Sequence, residues 1–266
     1  MPSVRIWAVE SEYDAAVVKC LGDKLADHFQ LNLSLKSSGS KAFNDATQLE
    51  NAVRNYLKQV DCVIFVLDRD SDIKEAKKRR ERNSLLSQIE RVLHKQEFEE
   101  CVFLVEAVNE LEAWLLIDFI GIFIYFAYNH HSVPKECKNY LKQSEENRAT
   151  CRERLMQNKV FNHLINRYQK GDTETIEESV PGGKGAKEYL EKFSEEIIET
   201  LNPGIKNKTK TAKKYKENRF PELAKYVEIN EITLNRNNSL KQLGCLIKKC
   251  SERPIDRGKI LTHSCK

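Results

Sequence analysis

The chain has 266 residues, 40% of them apolar, with 44 Lys and Arg against 40 Asp and Glu for a formal net charge of +4. That apolar share is enough for a real core and excludes global disorder. The near balance of charge excludes a uniformly basic or acidic surface, so any charged partner face must come from local clustering.

In chain order, "VRIWAV" (4–9) is a short apolar run and predicts a first strand. "EYDAAVVKCLGDKLADHF" then repeats Ala15, Val18, Leu21 and Leu25 at helical spacing. "LNLSLK" (31–36) alternates with period two and is closed by "SSGS" (37–40). A helix is predicted over roughly 43–58, with Leu49, Val53 and Tyr56 on one face. Next come a strand at 62–67, a long charged helix over about 73–96 and a fourth strand, "CVFLVE", at 101–106. "NELEAWLLIDF" opens a further helix. Alternating strands and helices predict an α/β fold, a mainly parallel four-stranded sheet flanked by helices, with site-bearing loops at the strands' carboxyl ends.

The rest of the chain reads as mostly helical and rich in lysine, which predicts an α/β domain over 1–130 and a mostly helical C-terminal region over 131–266 packing on it. "EYLEKFSEEIIETL" places Leu190, Phe193, Ile197 and Leu201 on one face. "AWLLIDFIGIFIYFAY" (113–128) is the most apolar stretch, but it has 16 residues and carries Asp118. A spanning helix needs about 20 apolar residues. It therefore predicts a buried helix and no membrane, with "FIGIFIYFAY" a candidate docking surface for a partner. The start "MPSVRIWAVESEYD" lacks a signal-peptide pattern, and eight scattered cysteines contain no C-x-x-C pair, which predicts a reduced, cytoplasmic protein.

Acids recur where the strands end. Glu10 follows the first, Asp68, Asp70 and Asp72 the third, and Glu106, Glu110 and Glu112 the fourth, while Asp14 stands one helical turn past Glu10. Like charges gathered in one place repel, so such a cluster calls for a cation or open solvent. An all-oxygen set with no histidine suits Mg²⁺ or Mn²⁺ and not zinc. Asp72 alone suffices as a helix N-cap. A calcium loop starting at Asp68 fails, because its sixth and twelfth positions are Ile73 and Arg79 where Gly and Glu are needed. A haloacid-dehalogenase-type phosphatase would carry its Asp-x-Asp on the first strand and a later Gly-Asp-Gly, and neither is present.

Taken together, "VESEYD" (9–14), "SSGS" (37–40), "VLDRDSD" (66–72) and "ELEAWLLID" (110–118) resemble the Toprim domain. More narrowly, they resemble the stand-alone Toprim-like proteins related to the overcoming-lysogenization-defect (OLD) nucleases. The resemblance covers roughly residues 4–118 and implies a metal site of Glu10, Asp14, Asp68, Asp70 and one of Glu110 and Glu112, with Gly39 ending the second strand. Ser11 stands where that family usually has Gly. The resemblance implies Mg²⁺- or Mn²⁺-dependent phosphodiester cleavage with two ions, proton exchange by Glu10, and work as the effector of an antiphage or restriction-type system. Two ions about 4 Å apart clamp a scissile phosphate in such chemistry. Lys184, in "PGGKGAKEYL", is a candidate for neutralising phosphate charge.

Two basic runs predict DNA or RNA as partner: Lys77, Lys78, Arg79 and Arg80, and Lys206, Lys208, Lys210, Lys213, Lys214 and Lys216. Contacts of this kind bind backbone phosphates without reading sequence. A small-molecule phosphoryl-transfer enzyme and a non-catalytic subunit are the competing readings. Proteins of the resembled group often work with an ATPase. The chain has no G-x-x-x-x-G-K-[ST] motif, so an ATPase partner would be separately encoded.

Overall fold

The computed structural model describes residues 1–8, 11–39, 45–69, 81, 84–128, 130–176, 185–206, 209 and 213–252. They group into two compact units, 1–108 with 238–266, and 109–237.

The first unit is the α/β part. Strands β1 (Ser3–Ala8), β2 (Ser34–Gly39), β3 (Cys62–Arg69) and β4 (Val102–Val108) form one sheet in the order β2-β1-β3-β4. Every pairing is parallel. Helices α1 (Glu12–His28), α2 (Ala46–Leu57) and α3 (Leu85–Leu93) make the crossovers. Each starts on a side-chain cap: Ser11 for α1, Asp45 for α2 and Ser84 for α3. Strand β3 is buried from Cys62 to Leu67, as the central strand of a doubly covered sheet must be.

Trp7, Val63, Phe65 and Leu67 pack with Leu49, Val53, Leu86, Ile89 and Val92, so α2 and α3 cover one face. Trp7 stacks on Phe65 with ring centres 5.1 Å apart. The other face takes α1 and the C-terminal helix, Asn238–Ser251. These two helices meet at Gly244, where an added Cβ would stand 2.7 Å from the Phe29 ring and 3.1 Å from Leu25. The last helix therefore completes the sheet unit, where the sequence predicted one C-terminal region from 131 onward.

Three boundaries differ from expectation. Strand β2 lies three residues later than predicted and contains Ser37, Ser38 and Gly39, because its pairing runs from Ser3↔Ser34 to Ala8↔Gly39. An edge strand with one covered face tolerates such polar residues. The predicted 73–96 helix is, among the described residues, a helix only over Leu85–Leu93, since Ser84 is extended (ψ 154°) and caps a new start. Glu106 lies inside β4 opposite Leu67, not after the strand.

The second unit is helical: α4 (Glu112–Leu115), α5 (Phe119–Ala127), α6 (Glu145–Gln157), α7 (Lys159–Tyr168), α8 (Ala186–Leu201), α9 (Phe220–Ala224) and α10 (Glu231–Leu234). Leu190, Phe193, Ile197 and Leu201 are buried as their spacing predicts. Helix α5 is core: Phe119, Ile122, Phe123, Ile124 and Ala127 are buried, with Phe119 against Phe193 and Phe123 against Phe161. That burial corrects the expectation of a docking face over most of "FIGIFIYFAY". No described helix is long and apolar enough to cross a membrane.

Asp118 caps α5 by accepting from the Gly121 N–H at 3.1 Å. It also accepts from the Glu228 N–H at 2.8 Å and forms a forked ion pair with Arg152, one arm at 2.9 Å. Arg152 in turn reaches Tyr140 and Glu228. Burial alone would raise the Asp118 pKa, but the guanidinium and the two backbone N–H groups outweigh it and hold the carboxyl low. Beside this network Cys137 and Cys151 are joined, with S–S 2.08 Å, against the expectation that all eight cysteines are reduced. Cys62 and Cys101 are buried, as small core residues would be.

Candidate functional site

Connections from β1 leave the sheet in one direction and those to β3 return on its other side, so the order β2-β1-β3-β4 changes direction between β1 and β3. In open α/β sheets the crevice at the carboxyl ends of such a pair is where ligands bind. Ala8, the last described residue of β1, pairs with Gly39 on one side and Val66 on the other. β3 runs on past that level to Asp68, opposite Ala107 of β4. Successive side chains alternate faces, and Val63, Phe65 and Leu67 point toward α2 and α3. Asp68 therefore belongs to the face that α1 covers, and it is half-buried.

Asp14 is in the first turn of α1, also half-buried, and its N–H donates to the Ser11 hydroxyl at 3.0 Å. Ser11 is extended (φ −147°, ψ 164°), a conformation open to any residue. The departure from the family's Gly is therefore without strain, and the hydroxyl serves as the cap. Gly39 is required by close approach. An added Cβ would stand 2.9 Å from the Ser11 carbonyl oxygen and 2.8 Å from the Glu12 carboxyl carbon. The residue type that the resemblance singles out thus has a physical cause at this position.

The second unit opens with two left-handed residues in succession, Asn109 (φ 61°) and Glu110 (φ 69°). Such conformations cost energy in residues other than glycine and concentrate at functional turns. Asn109 is buried and donates from Nδ2 to the Ile176 carbonyl at 2.9 Å. Glu110 accepts from the Lys187 N–H at 3.3 Å, in the first turn of α8, where a carboxylate suits the helix dipole. Glu112 is 6% exposed and accepts from the Tyr215 hydroxyl at 2.9 Å. Burial, followed by the neighbouring Glu110 charge, pushes the Glu112 carboxyl up to about 7, against the lowering effect of Tyr215. Burial thus favours the protonated form of Glu112, while Glu110 is held at the start of α8.

Within the lysine run, Lys206, Lys213 and Lys216 are exposed. Lys214 is instead paired with Glu191 at 2.7 Å and Glu195 at 3.2 Å, and its pKa is raised first by the Glu191 hydrogen bond. Tyr215 anchors the run: fully buried, it donates its N–H to Ser194 at 2.8 Å and its hydroxyl to Glu112. The sequence reading missed Tyr215 and Asn109. The available signals were the lone aromatic among lysines and an Asn where a strand turns out, since Asn tolerates the left-handed region.

Glu10, Asp70, Asp72, Lys77, Lys78, Arg79, Arg80, Lys184, Lys208 and Lys210 lie outside the described residues. Among the described residues, no three His, Cys, Asp or Glu side chains come together as a metal-binding group. The acids at hand, Asp14 and Asp68, are hard oxygen donors of the kind Mg²⁺ and Mn²⁺ take. Compared with known proteins, the chain matches no family model, no curated protein and no solved structure.

Proposed function

We propose that this chain is a Mg²⁺- or Mn²⁺-dependent nuclease acting on DNA or RNA. The observation that carries the reading is Asp68 at the carboxyl end of β3, beside the β1/β3 change of direction, with Gly39 packed against Ser11 and Glu12 at the start of α1. Glu10, Asp14, Asp68 and Asp70 would hold the cations. A bound divalent cation supplies Lewis acidity toward the phosphate and a water of lowered pKa.

Exposed Lys206, Lys213 and Lys216 support a polyanionic substrate, because a small phosphate ester needs no extended basic run. Lys184 remains the proposed phosphate-neutralising cation. The test incubates the pure full-length protein with supercoiled plasmid and total RNA in Mg²⁺, Mn²⁺ or EDTA. Metal-dependent cleavage that Asp68→Ala abolishes is expected. Intact nucleic acid under every condition would leave a non-catalytic subunit, such as the partner of a separately encoded ATPase.

A further inference from the structure

The helical unit contains a cavity of about 510 Å³ that shares Lys213 with the nuclease reading and whose aromatic lining that reading does not use. This lies within the range of roughly 300–1,000 Å³ typical of small-molecule sites. Tyr125, Phe126 and Tyr128, at and just beyond the end of α5, give it three aromatic rings, above a floor formed by Ile198 and Leu201 of α8. Its cationic lining is Lys213 and Arg219, beside the His130 imidazole, which burial holds toward the neutral form, and the lining has no carboxylate. Tyr125 is packed edge-on against both Phe126 and Tyr226, so the aromatic wall is held by its neighbours. Arg219 donates to the Lys213 carbonyl, which ties the two basic residues to one rim. His130 accepts at Nδ1 from the Ser132 N–H at 3.2 Å and is also hydrogen-bonded to the Asn202 side chain, so its ring is fixed in the wall.

A purely apolar ligand has no use for two cations, and a bare phosphate has none for three rings. A flat π-system carrying a phosphate satisfies both. We propose that this cavity binds a nucleoside phosphate, with its base against Tyr125, Phe126 and Tyr128 and its phosphate on Lys213 and Arg219. Every base presents a π-face, so stacking of this kind tolerates sequence. The same chemistry is offered by a free mononucleotide and by one unit of a single strand. The second source rests on the nuclease reading; the first does not.

The test titrates full-length protein in EDTA, where no cleavage occurs, with AMP by calorimetry and with fluorescein-labelled oligothymidylate by anisotropy. Tyr128 and Lys213 are exposed, so Tyr128→Ala and Lys213→Ala should melt as wild type does. Tyr128→Ala is expected to weaken binding roughly 5- to 150-fold, the equivalent of about 1–3 kcal/mol per stacked base. Lys213→Ala should weaken it about tenfold. Binding of AMP with these losses identifies a free nucleotide as the ligand, and binding of the oligonucleotide alone identifies a strand. Failure of both ligands to bind, or binding that both variants leave unchanged, overturns the proposal. A protein that binds here but never cleaves with Mn²⁺ would end the nuclease reading and keep the pocket.

Discussion

The two units handle buried charge in opposite ways. In the sheet unit the described buried polar residues are Ser3, Gln88 and Ser239, none ionisable, and the candidate acids Asp14 and Asp68 are half-buried at the carboxyl edge. In the helical unit two carboxylates are buried outright, Asp118 against Arg152 and Glu112 against Tyr215. Acids at the sheet edge are therefore expected to cost less stability when replaced than those in the helical unit, which belong to its packing. Removing one partner of a buried pair leaves an uncompensated charge, while removing both leaves none.

The largest effect should come from breaking the Asp118–Arg152 pair on one side only. Asp118→Ala is expected to cost about 3–5 kcal/mol in urea denaturation, because Arg152 stays buried with only the half-buried Glu228 to offset its charge. Adding Arg152→Met should return much of that loss. A single variant that costs under about 1 kcal/mol would erase the contrast between the units.

Glu112 sharpens the comparison through pH. Its carboxyl rises from 4.5 to about 7 in the folded state, so folding favours the protonated form. The associated stability is fully present below about 4.5 and is lost as pH rises through 7. At 1.36 kcal/mol per pKa unit, the full loss is about 3 kcal/mol. Glu112→Gln should therefore leave stability unchanged near pH 4 and raise it by up to that amount at pH 8, flattening the profile. Parallel wild-type and variant profiles across this range would remove the buried acid from the account.

The smallest expected effect is steric. Gly39→Ala should destabilise the sheet unit by about 1–3 kcal/mol, because the new methyl meets a backbone carbonyl that cannot swing aside. A neutral result would mean that the turn after β1 moves freely.

Legibility in the sequence followed periodicity. Strand β3 and helix α1 were readable because an unbroken apolar run and an i, i+3, i+4 stripe each have one structural meaning. Strand β2 was misplaced because Leu31, Leu33 and Leu35 alternate, while pairing to β1 selects Ser34–Gly39. Such register is a property of two segments and cannot be read from one. The return of Asn238–Ser251 to the sheet was hidden for the same reason: its apolar stripe shows that it packs, but not on what. Glu112 and Asp118 both looked like acids in an apolar run, and their partners Tyr215 and Arg152 stand 103 and 34 residues away. Asp68 at the end of β3 was legible because a strand end is marked by where the apolar run stops, whereas Glu106 was not, because β4 runs on to Val108.

The claim at the centre is that these edge acids hold a divalent cation, and thermal unfolding with and without Mn²⁺ tests it most directly. Wild type should melt higher in Mn²⁺ than in EDTA, with stabilisation of about 2.7 kcal/mol at a hundredfold excess over the dissociation constant. Mg²⁺ should do less, since Mn²⁺ tolerates irregular oxygen shells better. Asp68→Ala and Glu10→Ala should melt like wild type in EDTA and lose most of the Mn²⁺ shift. A wild-type protein whose melting ignores both cations, or an Asp68→Ala variant that keeps the full shift, would contradict the claim.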